Sequence, residues 1–176
     1  MKLITLIILS VIFIGCSNTT ESPSPEYVEG DVVFGLQDSV SLEELADYVY
    51  TLDNISISDV VSFQYDSDLP QDSMETIQSV LEAQSYFRSG TVKTSWLETD
   101  SKILVEFCIQ DFESEDRNDW ALQTERFHLT HSPYKYQVGL FKVDKGKERD
   151  WIDVLSETLL FRYVELNTIG HITTAD

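Results

Sequence analysis

Two stretches near opposite ends of the chain carry the same pattern, a β-type run, an amphipathic helix and a second β-type run, and this repetition constrains the fold more than any other feature. In the first, residues 31–36 place Val32, Phe34 and Leu36 on one side of a strand. Ser41 and Glu44 then fit a capping box, in which hydroxyl and carboxylate satisfy backbone donors at a helix start. Leu42, Leu45, Ala46 and Val49 follow at helical spacing, Asp53-Asn54 ends that helix, and residues 57–65 read as a strand with Val61, Phe63 and Tyr65 alternating. In the last third, residues 136–143 predict a strand and Asp144-Lys145-Gly146 a turn. Trp151, Ile152 and Leu155 then mark the apolar side of a helix, and residues 160–166 form a closing strand. Helices joining strands in this way must cover a sheet face, so the predicted class is α+β, a split βαβ sandwich with its helices on one side.

The centre predicts a helix–hairpin–helix insertion. Residues 71–84, following Pro70, carry the stripe Met74, Ile77 and Leu81. Residues 91–97 and 102–112 flank the turn Glu98-Thr99-Asp100-Ser101, and Ile103, Val105, Phe107 and Ile109 alternate through the second run. The acidic residues 111–119 read as a solvated loop leading into a weaker helix with Trp120, Ala121, Thr124 and Phe127. Residues 27–167 are thus expected to form a single α+β domain, followed by a tail over residues 168–176.

Ahead of that domain, Lys2 precedes an apolar run over residues 3–14 that is too short to cross a bilayer as a helix of about 20 residues. It reads as a signal-peptide core. The run ends in Phe13-Ile14-Gly15-Cys16, which resembles the lipobox of bacterial lipoproteins. The resemblance implies that residues 1–15 are removed and that Cys16 is lipidated, making the membrane a partner and the cell envelope the location. Ser17, where inner-membrane retention favours Asp, points to the outer membrane in a Gram-negative host. The Ser-, Thr- and Pro-rich residues 17–26 read as a flexible tether. With Cys16 lipidated, Cys108 has no partner for an internal disulfide, and its place in the apolar run 103–109 predicts a small core hydrophobe.

Charge narrows the partners further. The chain carries 12 Lys and Arg against 31 Asp and Glu, a net charge of −19. Such a surface repels phosphate backbones, so no nucleic-acid partner is expected. The densest basic cluster, Lys142, Lys145, Lys147 and Arg149, is interrupted by Asp144, Glu148 and Asp150.

Within this frame, residues 29–36, Glu-Gly-Asp-Val-Val-Phe-Gly-Leu, followed by Ser41-Leu42-Glu43-Glu44-Leu45, resemble the first strand and helix of the inhibitor-like propeptide domain of subtilisin-type serine proteases, a ferredoxin-like βαββαβ fold. Residues 146–152 and 161–167 are similar to that domain's second helix and last strand, the closing Tyr163-Val164-Glu165-Leu166-Asn167 being the most specific piece. In that family the last strand presents acidic groups to helix N-termini of the protease, where unpaired N–H groups and the positive dipole end lie. The resemblance therefore implies partner contacts for Glu165 and Asn167, with the tail threading the protease cleft.

Reactive constellations are sparse. A Gly-x-Ser-x-Gly elbow does not occur after the leader. His128 and His131 lie close to Pro133 without a third ligand at a characteristic interval, and read as loop-edge residues. Asp66 with Asp68, and the set Asp111, Glu113, Glu115, Asp116 and Asp119, do not follow the order of an EF-hand and read as solvated acidic surface. Trp96, Trp120 and Trp151 are expected in core packing rather than on a ligand platform. No catalytic residue, metal or cofactor is predicted. The leading expectation is a non-catalytic, membrane-anchored module that binds or assembles with another envelope protein. The alternatives are an inhibitor or folding helper of a subtilisin-type protease acting in trans, and a hydrolase using an acidic residue pair.

Overall fold

The computed structural model describes residues 26–59 and 61–169. The expected leader, Cys16, the tether up to Pro25 and the tail beyond Ile169 lie outside the described residues. The protein is α+β, with two four-stranded antiparallel sheets and four helices among those residues. The first sheet comprises β1 (Tyr27–Leu36), β2 (Ile55–Asp59), β7 (Val138–Val143) and β8 (Phe161–Thr168) in the order β2-β7-β1-β8. Helix α1 (Leu42–Val49) joins β1 to β2, and α4 (Glu148–Ser156) joins β7 to β8. The second sheet, ordered β4-β5-β3-β6, comprises β3 (Val61–Ser67), β4 (Lys93–Leu97), β5 (Lys102–Ile109) and β6 (Leu129–His131). Here α2 (Met74–Glu82), preceded by a 3-10 turn at Gln71–Ser73, joins β3 to β4, and α3 (Asp116–Arg126) joins β5 to β6. The inner segment thus repeats the connectivity and strand order of the outer one, and is spliced into the link between β2 and β7.

Local chemistry accounts for the elements that position the rest. Ser41 Oγ accepts from Glu44 N–H at 3.2 Å and Glu44 Oε2 accepts from Ser41 N–H at 3.0 Å, the reciprocal cap anticipated for α1. Its apolar residues Leu42, Leu45, Ala46 and Val49 are all buried. They join one continuous core with Val32, Phe34, Leu36 and Phe141 of the first sheet and Phe63, Tyr65, Val105 and Phe107 of the second. Where the sheets meet, Gly139 of β7 leaves room for Val61 and Phe34, since a Cβ there would fall 2.5 Å from Val61 Cγ2 and 2.7 Å from Phe34 Cζ.

A polar clasp ties α1 to the inner unit. Glu43 Oε2 accepts from the Tyr65 hydroxyl at 2.7 Å, and Glu43 Oε1 accepts from Trp120 Nε1–H at 2.7 Å and from the Thr124 hydroxyl at 3.5 Å. The Tyr65 oxygen also accepts from Leu42 N–H at 3.0 Å. Burial and the adjacent Glu43 carboxylate hold the Tyr65 hydroxyl well above its usual range, so it serves as a neutral donor at neutral pH.

Three expectations are corrected. The run 57–65 is not one strand: the chain passes from the first sheet to the second between Asp59 and Val61, with a register irregularity between Ile57 and Asp59. The alternation of buried residues keeps its phase across the switch, so the sequence pattern carries no mark of it. The insertion is more than helix–hairpin–helix, because β3 and β6 flank it and complete a sheet of its own. Cys108 is half-buried on the outer face of β5, its Sγ 3.5 Å from Ser62 Oγ, since the core takes the odd-numbered residues Ile103 to Ile109.

Glu148, only 1% exposed at the start of α4, accepts from Gly30 N–H at 2.6 Å and Gly146 N–H at 3.0 Å. The Gly30 bond in particular holds its carboxyl below the usual carboxylate range. A lowered carboxyl contributes stability above its unfolded value and loses it as pH falls through the folded one. Glu148→Gln should therefore cost about 1–3 kcal/mol at neutral pH. The gap to the parent should close as pH falls below the ordinary value of 4.5, as read by urea denaturation across a pH series.

Candidate binding face

Because Val32, Phe34 and Leu36 point into the core, Asp31, Val33 and Gly35 point out from the opposite face of the first sheet. The registers align three rows on that face. Gly35 lies between Tyr163 of β8 and Val138 of β7, and Val33 between Glu165 and Leu140. Asp31 pairs in register with Lys142. The first row is apolar and open, Tyr163 and Val138 being 39% and 40% exposed. Tyr163 lies across Gly35, where a Cβ would stand 2.3 Å from the ring, so the absent side chain seats the aromatic. Val33 and Leu140 are half-buried in the second row beside exposed Glu165. The face therefore grades from an apolar end, beside the β1–α1 and α4–β8 links, to a charged end beside Tyr27 and Thr168.

The two residues predicted for partner contact take different roles. Glu165 stands exposed on the edge strand β8. Asn167 is half-buried and tied to its neighbours: its Nδ2 donates to Asp31 Oδ2 at 3.1 Å, and Asp31 Oδ1 accepts from Lys142 Nζ. Asp31 is 5% exposed, so this chain across β8, β1 and β7 satisfies a buried carboxylate. Val33, Val138, Leu140 and Tyr163 were missed by sequence reasoning. Their signal was available, since in 138–141, Val-Gly-Leu-Phe, apolar residues occur at both parities and so point to both faces.

The remaining candidates do not converge. His128 lies in a left-handed turn (φ 51°) with Nδ1 2.8 Å from Asp68, whereas His131 sits on β6 against Phe63, Tyr65 and Gln137. Burial lowers the His131 value, against the pull of Glu43 and Glu44. Asp66 pairs with Lys102, Asp116 accepts from Glu113 N–H, and Asp119 accepts from the Tyr86 hydroxyl. Trp120 is buried, while Trp96 on β4 and Trp151 on α4 are half-buried against the core. Among the described residues no group of three or more His, Cys, Asp or Glu side chains is placed to hold a metal ion, and no helix is long and apolar enough to cross a membrane.

No family model matches the chain, and neither a curated protein nor a solved structure matches it.

The two predicted residues can be separated by stability alone. Asn167→Ala should cost about 1 kcal/mol through the lost hydrogen bond to Asp31. Glu165→Ala should stay within about 0.5 kcal/mol of the parent, as expected for an exposed side chain. Urea denaturation of both variants checks the difference.

Proposed function

We propose that this protein is a lipid-anchored, extracytoplasmic binding module without catalytic activity, held at the cell envelope through Cys16, and that it docks a protein partner on the outer face of its first sheet. The observation that carries the reading is the uncovered apolar row of Tyr163 and Val138, continued by Val33 and Leu140 and bordered by Glu165. An exposed apolar patch with a carboxylate beside it suits protein recognition. The leader and lipobox-like residues 13–16 support anchoring, and the −19 net charge favours a partner other than nucleic acid.

A second reading, trans-acting inhibition or folding assistance of a subtilisin-type protease, has a specific observation in its favour. The strand order β8-β1-β7-β2 of the outer unit supports reading it as a ferredoxin-like split βαβ sandwich, the fold of the propeptide domains that residues 29–36, 41–45, 146–152 and 161–167 resemble. In this reading Glu165 and the segment after Thr168 make the contacts, while Asn167 acts by holding Asp31.

In cells producing the full chain, a photo-crosslinking residue at position 163 is expected to give one discrete protein adduct in the membrane fraction, absent when it replaces Glu75 on α2 and lost on adding Val138→Asp. Cys16→Ala should remove both the adduct and the membrane association. Equal labelling from both positions, or membrane association unchanged by Cys16→Ala, would overturn the reading.

The protease alternative is checked by titrating the chain from Tyr27 onward against subtilisin-type proteases while following both peptide hydrolysis and cleavage of the added chain. Inhibition that disappears on deleting residues 170–176 supports it, and rapid digestion without inhibition refutes it.

A further inference from the structure

Apart from the sheet face, a cleft of about 480 Å³ opens at the junction of the two units, within the size range of small-ligand sites. Glu43 and Asp47 of α1 face Arg117 and Ala121 of α3 across a floor that includes Ala46 and Phe112. Its walls come from both units, α1 from the outer and α3 from the inner.

The chemistry of the walls selects one kind of occupant. The cleft already accommodates a cation of its own: the Arg117 guanidinium pairs with Asp47 and lies 5.8 Å from the centroid of the Tyr50 ring. Both partners of that pair are largely solvent-exposed, so the pair is exchangeable at little cost. Beside it the Glu43 carboxylate receives three donors from the protein, whereas its two oxygens offer about four acceptor positions. The potential is also negative around Tyr50, the ring next to the Arg117 guanidinium, where burial and then the carboxylates of Glu113, Asp116 and Glu115 push the hydroxyl upward. A cation can exchange with Arg117 at Asp47, whereas an anion would meet the Asp47 and Glu43 carboxylates. Ala121 supplies exposed apolar surface for a short stem, with the buried Ala46 and Phe112 behind it.

The geometry points to a binding site for a guanidinium or ammonium group on a short apolar stem, seated between α1 and α3 with its cation at Asp47 and Glu43 in the place now held by Arg117. The ligand is either a free cation or an Arg or Lys side chain of a protein. This inference does not depend on docking at the sheet face, because the two surfaces share no residue.

The test uses the Trp120 indole N–H, which donates to Glu43 and so reports on that carboxylate. Proton–nitrogen correlation spectra are recorded during titration with agmatine, with the blocked tripeptide Ala-Arg-Ala, and with its neutral citrulline counterpart. Saturable shifts of the Trp120 indole signal with agmatine or the arginine peptide, weakened by salt and absent with citrulline, are expected. A peptide binding more tightly than agmatine identifies a protein side chain as the source, and equal affinity a free cation. Asp47→Asn should weaken binding about tenfold through the lost charged contact, and Arg117→Ala should strengthen it about as much by removing the resident competitor. Both residues are exposed, so thermal unfolding of each variant should match the parent. No shift in either the parent or Arg117→Ala at millimolar cation, or equal shifts from the citrulline peptide, overturns the assignment.

Discussion

The structure depends on how the Glu43 carboxylate is shared. It projects from the helix of the outer unit and collects hydrogen bonds from a strand residue, Tyr65, and from two helix residues, Trp120 and Thr124, of the inner unit. Charge-assisted bonds of this kind are the stronger class, and a partly buried carboxylate left without them would be costly. Around the clasp, Tyr65 stacks on Phe107 with ring centroids 5.6 Å apart, and Trp120 meets both rings edge-on. The clasp thus ties the outer unit's helix to an aromatic cluster of the inner unit, and the two units share one continuous core. A larger merged core buries a greater fraction of its surface than two separate ones of half the length.

Strand order makes the nesting possible. In each sheet the first and last strands of the unit are neighbours and antiparallel, so its two ends lie together. In the inner unit Tyr65 pairs with His131 and Ser67 with Leu129; in the outer, Tyr27 pairs with Thr168 and Ile169 N–H donates to the Glu26 carbonyl. A unit with adjacent ends can be spliced into another's hairpin through short joints without separating the host strands. The same geometry makes the described chain begin and end on one side of the molecule, while the apolar row of Tyr163 and Val138 lies at the other end of the sheet. The anchoring proposed at Cys16 would thus leave that row at the end of the sheet away from Glu26.

Acidic side chains serve two different purposes here. Asp31, Glu43 and Glu148 each accept hydrogen bonds that bridge elements far apart in sequence. The remaining acidic residues largely face solvent, where a net charge of −19 favours solubility and cationic partners over anionic ones. Sequence composition does not separate the two groups, because burial of a carboxylate requires donors brought from distant strands.

The sequence by itself determined the local elements: the capping box before α1, the stripe Ile77 and Leu81 of α2, the alternation through β5 and the turn at Gly146 (φ 81°) all follow from spacing and backbone preference. Tertiary structure alone decided which strand neighbours which. A period of two states which side chains share a face and is silent about the partner strand, so the passage from β2 to β3 left no mark. The three-residue β6 was illegible for a related reason, since so short a strand exists only because β3 offers it an open edge. Glu165 could be placed on an exposed face from alternation, whereas the tie from Asn167 to Asp31 spans 136 positions and depends on β8 lying beside β1. Local spacing records which face a residue takes; long-range pairing decides what it meets there.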